Sequence, residues 1–242
     1  MSPDVMTWTL ALTLVAPLQP AADRCGPEAR AALEAVTAAA ARGDYAEAAR
    51  QAATSDAPAA GCDTLRLAAW SWHGWNAAVA AADRGGSPEA LAPVSAAVEA
   101  VTALGPPRSP AAYVAALLRA AAAAAQDERD EMRLWLEEAR AISMRLALVG
   151  AAPAVPFGID VAEGELWHGV DDYELAEAAF TRALAATETP AAWRGLARAR
   201  DRRGNRAGAC DAYRHVADAL AGHAAPGPLA AEARGYLLLC TR

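Results

Sequence analysis

Long runs of alanine constrain the fold of this chain more than any other feature of its sequence. In one of them, Ala120 to Ala125, six alanines follow one another. Alanine is the best helix former and a poor strand former. No segment alternates apolar and polar residues with a period of two, so we expect no sheet. The chain is therefore predicted to be all-α, with helices that pack closely because the side chains between them are small.

Turn signals divide the sequence from residue 27 onward into a series of predicted helices. Glycine and proline mark the breaks, as at Gly85-Gly86. Ser87 and Ser109 each precede a proline, the pattern of an N-capping hydroxyl before the first helical residue. The predicted helices span residues 27–41, 44–55, 63–83, 87–103, 109–126, 128–148, 157–169, 172–187, 190–203, 206–221 and 227–240.

The first 22 residues differ in character from the rest. Val5 to Ala16 is an uncharged, mostly apolar run that is too short to span a bilayer but has the length of a signal-peptide core. No basic residue precedes this run, and the cleavage site is weak. We nevertheless expect a signal peptide over 1–22 and a mature domain over 23–242, periplasmic or secreted. A start at Met6 would remove Asp4, which lies on the wrong side of the charge rule. The alternative is a disordered N-terminal tail on a cytoplasmic protein.

The charge of the chain argues against a general nucleic-acid binder. The formal net charge is −7, whereas proteins that bind phosphate backbones carry basic surfaces. All 22 basic residues are arginine, a bias over the whole chain that GC-rich bacterial coding explains. We expect no nucleic-acid partner and, after signal cleavage, no stable membrane span.

Two stretches share the spacing of a helical repeat. The first contains Gly164, Trp167, Ala176, Phe180 and Ala183, and the second contains Trp193, Leu196, Ala197, Gly204, Ala209, Tyr213 and Val216. This spacing resembles the tetratricopeptide repeat, a helix-turn-helix unit of about 34 residues. The resemblance is good over 157–221, fair over 27–55 and 128–141, and weak between them. Arg200 stands where the family has an aromatic residue, and His73 where it has leucine.

The resemblance implies an α-solenoid of about five antiparallel helix pairs and a C-terminal capping helix. Small residues such as Gly164 would lie at close helix crossings, and large residues such as Phe180 would fill the gap to the next pair. The first helices would line a concave groove that holds a segment of a protein or peptide partner. We therefore predict a monomeric, non-catalytic interaction scaffold of the bacterial envelope. The alternative is a regulatory or accessory subunit of an enzyme or secretion complex, and a small helical enzyme is least expected.

Three tryptophans lie close together in the third predicted helix. On a helical wheel Trp70 shares one face with Gly74, while Trp72 and Trp75 share the opposite face. A helix that is apolar on both sides is sandwiched between neighbours, so Trp70 and Trp72 are expected in the core. For Trp75, with Asn76 beside it, a core position and a position at the edge of the groove both stay open.

No motif in the sequence predicts catalysis, a cofactor or a metal. The metalloprotease, P-loop, nucleophile-elbow and dinucleotide-binding patterns are all missing from the sequence. The tightest polar cluster contains His168, Asp171, Asp172 and Glu174. An Asp-Asp pair before a helix is more typical of an N-cap that also complements the helix dipole than of a metal site.

The strongest local charge feature is the stretch RGLARARDRRGNR, which contains Arg194, Arg198, Arg200 and Arg202. One interpretation is a solvated surface whose last arginines complement the helix dipole. The other is a cationic patch that binds a carboxylate or an acidic peptide, in which Arg200 is favoured because the family has an aromatic residue there.

Four cysteines stand near the two ends of the predicted array. In a stack of antiparallel helix pairs, Cys25 and Cys62 fall at one edge, and Cys210 and Cys240 fall at matching levels of the last two helices. We therefore predict the disulfides Cys25–Cys62 and Cys210–Cys240. Four buried free thiols in a cytoplasmic protein are the alternative.

Overall fold

Helices make up most of the residues that the computed structural model describes, which are 25–41, 44–53, 62–149, 158–221 and 227–240. They are α1 (Pro27–Ala41), α2 (Tyr45–Ala53), α3 (Asp63–Ala82), α4 (Pro88–Thr102), α5 (Pro110–Ala125), α6 (Arg129–Leu148), α7 (Ile159–Gly169), α8 (Tyr173–Ala186), α9 (Pro190–Arg202), α10 (Arg206–Leu220) and α11 (Pro228–Cys240). These residues contain no strand, so the all-α prediction is confirmed for them. The expected signal peptide lies outside the described residues.

Side-chain caps explain where several helices begin. The hydroxyls of Ser87 and Ser109 each accept a hydrogen bond of 3.3 Å from the backbone N–H three residues later, at the starts of α4 and α5. The carboxylate of Asp172 does the same at 3.1 Å for α8. Each such cap stabilises its helix by about 1 kcal/mol. Asp172 thus has the capping role that the sequence favoured over metal binding.

Each helix packs against the next one along the chain, so the helices lie in adjacent pairs. The odd-numbered helices α1, α3, α5, α7, α9 and α11 also contact one another in that order. The alanine run of α5 is buried among these neighbours, and small side chains allow helix axes to approach closely. The odd-numbered helices therefore form one continuous layer. None of the described helices is long and apolar enough to cross a membrane.

The ring of Phe180 on α8 fills the space between α7 and α9. Phe180 is fully buried. A Cβ atom would lie 2.7 Å from this ring if placed on Gly164 and 2.2 Å from it if placed on Gly195. Both helices therefore need glycine where they cross the ring. The close crossing at Gly164 was expected from the repeat spacing, whereas the one at Gly195 was not.

The burial of the three tryptophans of α3 differs from the prediction made from the sequence. Trp72 and Trp75 are buried, whereas Trp70 is only half-buried. The ring of Trp70 packs edge-on against His73, with 5.6 Å between ring centroids, and His73 is exposed. Trp70 therefore packs against the main core while part of its side chain remains accessible to solvent.

Replacement of Trp70 with alanine is expected to cost about 1–2 kcal/mol of unfolding free energy. A fully buried aromatic typically costs about 3–5 kcal/mol, and the Trp70 side chain is only partly buried. Urea denaturation of Trp70→Ala, with Trp72→Ala as the buried comparison, measures this difference. Equal losses in the two variants would contradict the half-buried position of Trp70.

The cysteines meet in two pairs, one near each end of the described helices. The Sγ atoms of Cys25 and Cys62 are 2.00 Å apart, and those of Cys210 and Cys240 are 2.04 Å apart. Both separations are disulfide distances. These are the two pairings predicted from the sequence. The first joins the start of α1 to the start of α3, and the second joins α10 to the end of α11.

Candidate binding pocket

A pocket of about 410 Å³ lies on the layer formed by the odd-numbered helices. Its wall is built from the C-terminal parts of α3, α5 and α7 and from the middle of α9. The volume lies within the usual range of ligand sites in proteins. Four successive odd-numbered helices thus meet around one cavity.

The side of the pocket formed by α3 and α5 is mostly apolar. Its alanines are Ala78, Ala82, Ala121, Ala124 and Ala125. Buried Trp75 also contributes to this wall, and Val79 presents a largely exposed apolar side chain. Asn76 and the exposed Asp83 are its polar members. A ligand with an apolar group would find its contact surface on this side.

The side of the pocket formed by α7 and α9 is charged. Nη1 of Arg198 lies 3.4 Å from Oε2 of Glu165, and both residues line the pocket. Nε of Arg194, the second arginine of this wall, lies 3.1 Å from Oε2 of Glu232 on α11. Arg198 is thus held by a carboxylate of the pocket itself, and Arg194 by the terminal helix.

His168 completes the charged wall. Its Nε2 atom is buried and has no hydrogen-bond partner among the described residues. Burial, followed by the nearby Arg198, lowers the pKa of His168 to about 4, although Glu165 acts in the opposite direction. His168 is therefore neutral at neutral pH. The edge of its ring packs against Tyr173, with 5.3 Å between ring centroids.

Four of the predicted partner-binding residues line this one pocket, namely Trp75, Asn76, Arg194 and Arg198. Trp75 has both of the positions considered for it, in the core and at the binding surface, because its ring is buried and also forms part of the pocket wall. The structure therefore brings together residues that were singled out for unrelated reasons, an aromatic cluster and an arginine-rich helix.

The structure places Arg200 and Arg202 away from the pocket. Nε of Arg200 donates to Oε1 of Glu177 on α8 at 3.0 Å. Nη2 of Arg202 donates to the hydroxyl of Tyr173 at 2.7 Å. Arg200, which the sequence favoured, follows Arg198 by two positions and so points to nearly the opposite side of α9. It joins α8 to α9 instead of lining the pocket.

Glu165 and Val79 are pocket residues that the sequence reasoning missed, and His168 was considered only as part of a turn. A signal for Glu165 exists. It precedes Arg198 by 33 residues, which is also the separation of Phe180 and Tyr213, the matching positions of the two stretches with repeat-like spacing. Residues at equivalent positions of successive repeats lie side by side in a solenoid. Opposite charges at one repeat position therefore indicate a contact between α7 and α9.

Comparison of the chain with protein-family models, with curated proteins and with solved structures gives no match. The geometry of the pocket and the chemistry of its lining residues are therefore the basis for a functional assignment.

Proposed function

We propose that this chain is an exported tetratricopeptide-type α-solenoid that acts as a non-catalytic interaction scaffold. In this proposal the pocket on the odd-numbered helices holds a segment of a partner protein. The observation that carries the proposal is the position of the pocket, which is shared by α3, α5, α7 and α9. This is the layer that lines the groove in the repeat family that the sequence resembles.

The chemistry of the pocket favours binding over catalysis. The described residues that line it include no serine, threonine, cysteine, lysine or tyrosine. His168, whose pKa is lowered to about 4, is a weak base at neutral pH, whereas a general base works best when its pKa lies near the operating pH. An apolar wall facing a charged wall is instead suited to holding a segment with both kinds of side chain.

The cysteine pairs support a location outside the reducing cytoplasm. Disulfides persist in oxidising compartments such as the periplasm and the extracellular space. All four cysteines stand in pairs at disulfide distance. Together with the apolar run near the N-terminus, they favour export over the cytoplasmic alternative.

Photo-crosslinking tests the proposed groove. A benzophenone amino acid at position 79 places the reactive group on an exposed side chain inside the pocket, and the same group at position 134 on α6 is the matched control. Val79 is 55% exposed and Leu134 is 61% exposed. In the native envelope fraction we expect a protein adduct from position 79 and none from position 134. Adducts from position 134 alone would place the partner surface outside the pocket and contradict the proposal.

A further inference from the structure

The charged wall contains an arginine with most of its hydrogen-bond donors unused. Among the described residues, the single polar contact of the Arg198 guanidinium joins one nitrogen to one oxygen of Glu165 at 3.4 Å. A guanidinium has five N–H donors, and charge-assisted hydrogen bonds in good geometry are about 2.7–2.9 Å long. Glu165 therefore holds Arg198 weakly, and Arg198 keeps donors for another acceptor.

Arg194, the other arginine of the wall, is fixed to the fold. Its partner Glu232 is held in turn by the hydroxyl of Tyr213, which donates to Oε1 of Glu232 at 2.8 Å. This contact ties α9 and α10 to α11, so a ligand that removed Glu232 would also disturb the packing of the terminal helix. Displacing Glu165 from Arg198 would break no comparable network.

The surroundings of His168 indicate that an anion is favoured beside Arg198. Burial is the main reason for its low pKa, but Arg198, Arg202 and Arg194 lower it further against the effect of Glu165. The effect of the arginines on the His168 imidazole therefore outweighs that of Glu165. The Nε2 atom of His168 also lacks a partner among the described residues, and a buried polar atom in that state costs about 1–3 kcal/mol.

We propose, resting on the proposed function, that Arg198 is a carboxylate subsite that Glu165 occupies in the unbound protein. The partner segment inserts an acidic side chain that replaces Glu165 at Arg198, and an apolar side chain beside it covers Val79 and the alanine wall. Glu165 is then an internal competitor, because every ligand carboxylate must displace it. The site selects an acid over an amide of the same shape, because only the acid forms an ion pair with Arg198 that compensates for the lost Glu165 contact.

Three small probes that differ only in their head group test this selection. Phenylbutyrate, phenylbutyramide and phenylbutylamine share an apolar tail for the alanine wall and carry an anionic, a neutral and a cationic head. Their dissociation constants are measured by NMR titration of the full chain. We expect the acid to bind about tenfold more tightly than the amide and the amine to bind least, a difference of about 1.4 kcal/mol between acid and amide.

Two substitutions with matched controls assign the effect to the subsite. Glu165→Gln removes the competitor and should tighten phenylbutyrate about threefold to tenfold without changing phenylbutyramide, whereas Arg198→Gln should abolish the acid preference. Glu177→Gln and Arg200→Gln are the controls, because they lie outside the pocket. The side chains of Glu165 and Glu177 are 19% and 20% exposed, and those of Arg198 and Arg200 are 32% and 27% exposed. Both controls should keep the preference of the unsubstituted protein.

The NMR signal of His168 provides an independent readout. A bound carboxylate beside the imidazole favours its charged form, so phenylbutyrate should raise the pKa of His168 and phenylbutyramide should not. Equal affinities for acid and amide, or a Glu165→Gln variant that binds phenylbutyrate no better, would overturn the subsite. Crosslinking from position 79 would then still support the groove. If position 79 gives no crosslink but the protein still prefers the acid over the amide, the proposed scaffold function is wrong and the carboxylate subsite stands.

Discussion

Loss of both cysteine pairs is expected to lower the free energy of unfolding by about 7 kcal/mol. The Cys25–Cys62 pair is separated by 37 residues and the Cys210–Cys240 pair by 30 residues. In the chain-entropy description, a bond across each of these loops stabilises the fold by about 3–4 kcal/mol. Single domains are stable by about 5–15 kcal/mol, so the reduced protein would be close to unfolding.

The packing around each pair explains why the ends depend on these bonds. Cys25 and Cys62 form a small core of their own with Ala29 and Leu65, separate from the main core. At the other end, the buried residues of α11 are Leu229, Ala230 and Ala233, all in its first half. The terminal helices bury few large apolar side chains, Val36 in α1 and Leu229 in α11, so we expect them to depend on the cysteine pairs.

Urea denaturation of the oxidised protein, the reduced protein and the two double serine variants measures these contributions. The losses for the Cys25/Cys62 and Cys210/Cys240 variants should add, because the two pairs lie in different parts of the structure. An unchanged midpoint after complete reduction, verified by thiol titration, would contradict the prediction. A Cys62–Cys210 bond in peptide maps would contradict the order of the helices.

The second large effect is expected at Phe180, where replacement with alanine should cost about 3–5 kcal/mol. The ring is fully buried and in contact with Gly164 and Gly195, so its removal leaves a cavity between α7 and α9. The backbones of both helices have little freedom to fill that cavity, because each is held by its own neighbours. Thermal and urea unfolding of Phe180→Ala give the loss directly.

The reciprocal change at Gly195 tests the same contact from the other side. Gly195→Ala places a methyl group where the Phe180 ring stands, with a Cβ-to-ring distance of 2.2 Å. It should destabilise the fold even though alanine is the better helix former. The double variant Gly195→Ala/Phe180→Leu should lose less than the sum of the single variants, because the smaller side chain makes room. Strict additivity would show that the two residues do not share this space.

The helices could be predicted from the sequence because their signals are local. The high alanine content predicts helix along most of the chain. Capping residues such as Ser87 and Asp172 determine where individual helices start. For this reason the observed helix ends in the described residues lie within two residues of the predicted ends. The cysteine pairing could also be predicted from the sequence, because it follows from the order of antiparallel helices.

The pocket could be predicted only in part, because facing directions depend on tertiary packing. Arg194 and Arg198 were identified from charge density, but the family resemblance favoured Arg200, which binds Glu177 on α8. Charge density does not reveal which side of α9 faces the pocket. In the same way, an apolar face predicts a neighbour for Trp70 but not how much of the ring the neighbour covers.

The order of helix contacts also determines how this chain can fold. Every extensive contact between described helices joins elements that are adjacent or next but one in the chain. Contacts that are close in sequence make folding fast, on a scale of about microseconds to milliseconds for helical domains. A chain that emerges N-terminus first from a ribosome or a translocation channel can therefore pack α1 to α6 before α7 to α11 have been delivered.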